Sequence, residues 1–264
     1  MSLHHECNFE SEICEHLKAG GWIHEDQPDA GFVRGLCLFP QDVLAWVQQT
    51  QPDAWDVLLK NHGPTAADHL LSRLRNSLDQ QGTLHVIRHG FDVLGLRKEL
   101  KMAQFKPANA MNPDIIARYA ANRLRVVQQV KYSTANENSI DLVLFLDGIP
   151  VATAELKTDF TQSIDDAVDQ YRLDRDPQPK GQNPEPLLSF PGGAMVHFAV
   201  SSSEVRMTTR LEGPKTEFLP FKRLIVRAHL DRDASKEASS ELRQIQDAFE
   251  ILSDPSQRNE SLWF

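Results

Sequence analysis

Three cysteines, Cys7, Cys14 and Cys37, are all the thiols in 264 residues, so no disulfide framework holds the chain together. Long apolar runs are missing too. Nothing approaches the roughly 20 residues of a membrane-crossing helix, and MSLHHECNFE lacks the basic-then-apolar order of an export signal. A cytoplasmic location is the expectation, with no membrane contact. Positive charge is scarce: 28 Lys and Arg face 37 Asp and Glu, for a net charge of −9. That excludes nucleic-acid binding by bulk electrostatics and leaves only a local basic groove for such a task. Low-complexity tracts and internal repeats are also absent. With 41% hydrophobic and 25% charged residues, the chain has the composition of a globular protein with a real core.

The hydrophobic pattern divides the chain. Phe9, Ile13, His16 and Leu17 stand at helical spacing within residues 8–19 and are followed by Gly20-Gly21, which predicts an amphipathic helix. Helices are also predicted over 40–49, 53–61 and 65–79, the last from the stripe Leu70, Leu71, Leu74 and Leu78. From Thr83 the period changes. TLHVIRHG, RVVQQVKYS, SIDLVLFL, VATAELK, MVHFAVSS and VRMTTRL read as strands, with helices expected at NPDIIARYAANR and QSIDDAVDQYRLDR and a surface loop over 176–183. The fold class is therefore α/β, a mixed central sheet flanked by helices, with an N-terminal helical extension. Residues 222–264 lack glycine and place Leu242, Ile245, Phe249 and Leu252 on one helix face, stopped by Ser253-Asp254-Pro255, so they form a separate C-terminal helical tail.

Chemistry concentrates in SIDLVLFLDGIPVATAELK, residues 139–157. Leu142 to Leu146 is unbroken apolar sequence, as in a strand buried on both faces, and Asp147-Gly148 signals a hairpin. In the second strand Ala152, Ala154 and Leu156 point one way, and Thr153, Glu155 and Lys157 the other. A three-residue loop over 147–149 sets Asp141 opposite Glu155. A two-residue loop shifts the register by one, and a bulge near Asp141 must then restore it. Either arrangement brings two carboxylates and an ammonium to one end of the hairpin. Carboxylates this close repel unless a positive charge intervenes, and a hard cation such as Mg²⁺, bound by one or two carboxylates plus phosphate and water oxygens, meets that need. Lys157 could then orient or deprotonate an attacking water while the metal offsets charge on a scissile phosphate. On spacing alone, a pair of solvated strand carboxylates neutralised by Lys157 is the competing reading.

The segment SIDLVLFLDGIPVATAELKT resembles the PD-(D/E)xK nuclease core, and within it the N-terminal nuclease region of the restriction subunit of type I restriction-modification enzymes. RLRVVQQVKYS, DDAVDQYRLDRDP, HFAVSSSEVRMTTRL and FLPF carry the same likeness, over roughly residues 5–221. The resemblance implies a nuclease domain over 1–221 that hydrolyses DNA phosphodiester bonds in phage defence. Asp141 and Glu155 would be its metal ligands, Lys157 the catalytic lysine, and the Leu156 carbonyl a further ligand. A first-helix glutamate joins the site in this family, and Glu10 is the choice over Glu12 and Glu15. Mg²⁺ is the implied cofactor, with Mn²⁺ as a substitute. Gln170, Tyr171, Arg172 and Arg175 would lie at the DNA, although Gln170 and Tyr171 are adjacent where many relatives space the pair four apart. Partners would be double-stranded DNA and the modification and specificity subunits of a type I complex. No GxxxxGK[ST] phosphate loop occurs, so neither an ATP site nor translocation is expected of these residues. The alternative is a non-catalytic DNA-binding or complex-assembly module.

Arg118, Arg123, Arg125 and Lys131 share a stretch with one acid, Asp114, and Arg123 and Arg125 are the candidates for phosphate contact. The C-x6-C spacing of Cys7 and Cys14 fits no common zinc site, so both read as buried thiols. No ordered Ser, His, Asp arrangement is found. The tail resembles the second half of a J-domain through AHLDRD and FEILSDPSQR. The family's His-Pro-Asp is here His229-Leu230-Asp231 and the first helix is absent, so Hsp70 is not an expected partner.

Overall fold

The computed structural model describes residues 2–25, 31–108, 111–158 and 163–221, with side chains from residue 9 onward. The helical tail expected over 222–264 lies outside the described residues. Helix α1 (Ser2–Ala19) starts earlier than the sequence pattern implied and buries Phe9, Ile13, Cys14 and Leu17. It ends where Gly21 adopts φ 91°, a conformation glycine reaches without steric cost. Helices α2 (Pro40–Thr50) and α3 (Pro52–His62) each begin with proline, whose missing N–H would have no partner there anyway. Helix α4 (Ala66–Gln81) buries Leu70, Leu71, Leu74 and Leu78 as its period predicts.

TLHVIRHG is a correction. It forms helix α5 (Thr83–His89), not a strand. Thr83, Val86 and Ile87 are buried while Leu84, His85, Arg88 and His89 are exposed, the i, i+3, i+4 pattern of a helix face. β-branched composition suggested the strand, but Gly82 at φ 90° and Gly90 at φ 81° isolate a segment that packs against α4. Helix α6 (Pro113–Ala120), capped by the Asn112 side chain, stops three residues short of the expected end.

Strands β1 (Leu124–Lys131), β2 (Ser139–Leu146), β3 (Ile149–Leu156), β4 (Val196–Val200), β5 (Val205–Thr208) and β6 (Leu219–Pro220) form one sheet in chain order. Only the β3–β4 pair is parallel. A parallel neighbour requires a crossover, and this one contains helix α7 (Ile164–Asp169), whose Ser163 and Asp166 form a capping box. Leu142, Leu144, Ala152 and Ala154 share one core with the buried residues of α1, α2, α4 and α5. Val127, Val143 and Phe145 pack instead on Phe39, Tyr171, Leu187 and Leu188. β3 is buried along its whole length, so Thr153 and Glu155 are covered as well as the alanines behind them. Among the described residues no helix is long and apolar enough to cross a membrane.

The β2–β3 hairpin turns on two residues, Asp147 at φ 49° and Gly148 at φ 84°, the paired positive values that match strand twist. Leu146 faces Ile149 and Phe145 faces Pro150. One extra residue in β3 then shifts the register, so Leu144 faces Ala152 and Leu142 faces Ala154. The bulge sits beside the turn rather than near Asp141. It delivers the expected outcome, because one step further along the ladder Asp141 meets Glu155.

Candidate active site

Three polar side chains line up across adjacent strands. Gln128 pairs with Leu142 and Val130 with Ile140, which sets Gln129 opposite Asp141, and Asp141 in turn faces Glu155. Gln129 Nε2 donates to Asp141 Oδ1 at 3.2 Å and to Glu10 Oε1 and Oε2 at 3.4 and 3.3 Å. Ser139 Oγ donates to Gln129 Oε1 at 3.1 Å. Asp141 Oδ2 accepts the Leu156 N–H at 2.7 Å. The Gln129 backbone sits at φ 48°, a region costing a side-chain-bearing residue on the order of 1–3 kcal/mol, and such strain concentrates at functional sites. Sequence reasoning missed Gln129. Its signal was a pair of adjacent glutamines between the apolar residues Val127 and Val130 of β1.

Glu155 is fully buried. Burial and the neighbouring Asp141 charge push its carboxyl well above the usual carboxylate range, opposed by Arg175. Arg175 Nε donates to Glu155 Oε1 at 2.6 Å, whereas Oε2 is buried with no N–H or hydroxyl donor among the described residues. Arg175 reaches this position from a π-helical turn, Gln170–Asp174, closed by its own N–H to the Gln170 carbonyl at 3.2 Å. Single π turns recur at functional sites. The expected helix over 162–175 therefore changes character halfway. Tyr171 anchors the turn, since its hydroxyl lies 2.7 Å from Thr153 Oγ1, which is in turn 2.8 Å from His197 Nδ1. Burial lowers His197 to about 3, so this ring is neutral and serves as a hydrogen-bonding support.

Glu10 arrives from α1. Burial pushes its carboxyl up to about 7, the Gln129 hydrogen bond opposes this, and the Asp141 charge adds to it. Below about 4.5 both folded and unfolded chains hold this proton. Between there and 7 the folded chain keeps a proton the unfolded chain releases, so stability falls as pH rises, by up to roughly 3 kcal/mol. Without divalent metal, Glu10→Gln is expected to stabilise the protein at pH 8 and to have no effect near pH 4.5. Denaturant midpoints check this, and equal midpoints at pH 8 would place Glu10 in water.

The other expected site residues separate. Lys157 follows β3 directly, its N–H bonded to the Val200 carbonyl at 2.8 Å. Arg125 is buried and grips Asp42 through Nε at 2.6 Å and Nη2 at 3.1 Å, and Arg123 Nε joins the same carboxylate at 2.9 Å. These two arginines hold β1 to α2 and are not gathered at Asp141. Tyr171 and Arg175 are interior. Gln170 is half-buried, and Arg172 is half-exposed, donating to the Thr216 carbonyl at 3.0 Å. Cys14 and Cys37 are free and buried, both thiols pushed up to about 12 chiefly by burial; Cys7 has no described side chain.

Among the described residues no group of three or more His, Cys, Asp and Glu side chains forms a metal-holding cluster. What the site offers is a pair of carboxylates. The unpartnered Glu155 Oε2, beside Asp141, fits one hard cation that takes its remaining oxygens from water and phosphate. Residues 53–216 match the family described as type I restriction enzyme R protein N terminus (HSDR_N). That span contains Asp141, Glu155, Lys157 and the π turn, but not Glu10. No curated protein matches the chain.

Proposed function

Because the chain belongs to the family of type I restriction enzyme R protein N termini, we propose that it is a Mg²⁺-dependent DNA endonuclease domain of the PD-(D/E)xK kind. One observation carries the reading: Asp141 and Glu155 face each other across a hairpin, with a buried Glu155 oxygen that finds no N–H or hydroxyl donor among the described residues. A carboxyl group pair so placed wants a cation. Asp141 and Glu155 would hold Mg²⁺, or Mn²⁺ in its place, with the Leu156 carbonyl as a further donor. The ion would supply charge to offset that building on the scissile phosphate. Lys157 orients the attacking water and takes part in its deprotonation. Glu10, sharing the Gln129 amide with Asp141, supports the ligand geometry. Double-stranded DNA is the substrate, and the modification and specificity subunits of a type I complex are the protein partners.

A second reading has its own support. Arg175 already neutralises Glu155 without any metal, which suits a non-catalytic DNA-binding or complex-assembly module. Incubating the protein with supercoiled plasmid and Mg²⁺ separates the two. Nicking or linearisation that EDTA abolishes is expected, and DNA binding without cleavage would favour the second. Asp141→Asn is expected to weaken Mn²⁺ binding at least about tenfold, measured by calorimetric titration, since it removes one of only two carboxylate ligands. Because the change also relieves repulsion within the pair, the fold should survive. Unchanged affinity would remove Asp141 from the site.

A further inference from the structure

Arg175 takes one oxygen of Glu155 and leaves the other bare. Its Nε–H donates to Oε1 at 2.6 Å while Oε2, buried, finds no N–H or hydroxyl donor among the described residues. On β2 the division is similar. Asp141 Oδ2 accepts the Leu156 N–H at 2.7 Å, and Oδ1 has only the longer 3.2 Å contact from the exposed Gln129 side chain. Glu155 is left with one oxygen that has no donor, and Asp141 with one that is only weakly held, for a further ligand.

The guanidinium is held firmly in this role. Arg175 is 8% exposed, and its backbone closes the π turn onto Gln170. The same turn is fixed to the sheet by Tyr171 through Thr153 and His197, and Thr153 precedes Glu155 by two residues on the same face of β3. An arginine keeps its charge under all ordinary conditions and offers a planar, pre-oriented donor.

We propose that Arg175 is a specificity-determining residue: by occupying Oε1 it makes Glu155 a one-oxygen ligand and so biases the site toward a small octahedral cation, Mg²⁺ or Mn²⁺, over Ca²⁺. The inference rests on the metal-site reading above. Ca²⁺ collects six to eight oxygens in flexible geometry and accepts carboxylates through both oxygens, whereas Mg²⁺ keeps several waters and needs only one or two carboxylate contacts. A pair of one-oxygen ligands meets the second requirement. Freeing Oε1 would allow the chelation that Ca²⁺ prefers.

The test is calorimetric titration of the whole chain, without DNA, with Mg²⁺, Mn²⁺ and Ca²⁺ in separate runs. Wild type, Arg175→Met and Arg175→Lys are compared. Lysine keeps a positive charge in the interior, which protects folding, but lacks the planar Nε–H and shortens the reach. Both variants are expected to shift the Mg²⁺-to-Ca²⁺ affinity ratio toward Ca²⁺, by about fivefold or more in Arg175→Met. A ratio unchanged in both variants overturns the proposal even if all affinities fall, because an arginine with a purely structural role weakens every ion alike. Wild type that binds none of the three ions overturns the metal-site reading itself, and this inference with it.

Discussion

Lys157→Ala is expected to lower Mg²⁺-supported plasmid cleavage by about 10²- to 10⁴-fold, the range for losing a positioned proton-transfer group, while DNA affinity stays within a few-fold. The backbone of Lys157 is tied to β4 through its N–H to Val200, so its Cα is fixed two residues beyond Glu155. Among the described residues no ion pair or hydrogen bond engages its ammonium, in contrast to Arg125 and Arg175, whose charges are committed to Asp42 and Glu155. A cation that the fold does not use, on the residue two beyond Glu155, is what the proposed reaction would draw on. DNA affinity, by contrast, is spread over many phosphate contacts, of which one lysine is a small part. Single-turnover cleavage and equilibrium binding on the same duplex separate the two effects. A variant that cuts at the wild-type rate would take Lys157 out of the mechanism. A rate loss matched by an equal loss of binding would make it a DNA contact instead.

The legible part of this protein was local. Asp147-Gly148 announced the hairpin because two positive φ values in a row are affordable only to such residues. The Leu70 to Leu78 stripe announced α4 because one helix face must be buried. Asp141 could be set opposite Glu155 for the same reason, since the hairpin that joins them is a short-range object. Even there, the bulge expected near Asp141 lies instead beside the turn, on β3, because the alternation of apolar residues does not fix where along the ladder an extra residue is absorbed. TLHVIRHG failed because strand-forming residues and a four-residue amphipathic repeat overlap in so short a segment, and packing against α4 decided the outcome.

The distant part of the site was not legible. Gln129 meets Glu10 across 119 residues of sequence, and no periodicity connects α1 to β1. Arg175 was expected at the DNA from the family resemblance and its place on the helix after the hairpin, yet the π turn rotates it inward to a carboxylate 20 residues earlier. Arg123 and Arg125 were read as phosphate contacts from local charge. Their partner, Asp42, lies more than 80 residues away on α2, so sequence could count the cations without finding what neutralises them.

That three-membered clamp makes Asp42→Ala the substitution with the largest expected cost to folding, about 3–5 kcal/mol, the usual penalty for stranding a buried charge. Asp42 is fully buried, and Arg125 is 5% exposed with its guanidinium also over the Phe39 ring. Without Asp42, Arg125 keeps only Glu25 at 3.3 Å, a largely exposed partner. Burial alone would raise the Asp42 carboxyl, but the hydrogen bonds and charges of Arg125 and Arg123 outweigh it and hold the group below its ordinary range. A depressed carboxyl stabilises above its unfolded value of 3.8 and loses that contribution as pH falls through the folded one. The gap between wild type and variant should therefore be flat at neutral pH and close in acid. In a chain of this size the neutral-pH loss corresponds to a melting temperature lower by roughly 10 °C. Chemical denaturation across pH reads both quantities, and a double-mutant cycle with Arg125→Met isolates the pair. Arg125 lies four residues, about 13 Å, along β1 from Gln129, so cleavage per folded molecule, assayed well below the melt, should be unchanged. A midpoint equal to wild type would mean that water reaches Arg125 once Asp42 is gone. A stable but inactive variant would mean instead that the clamp sets the register of β1 at Gln129.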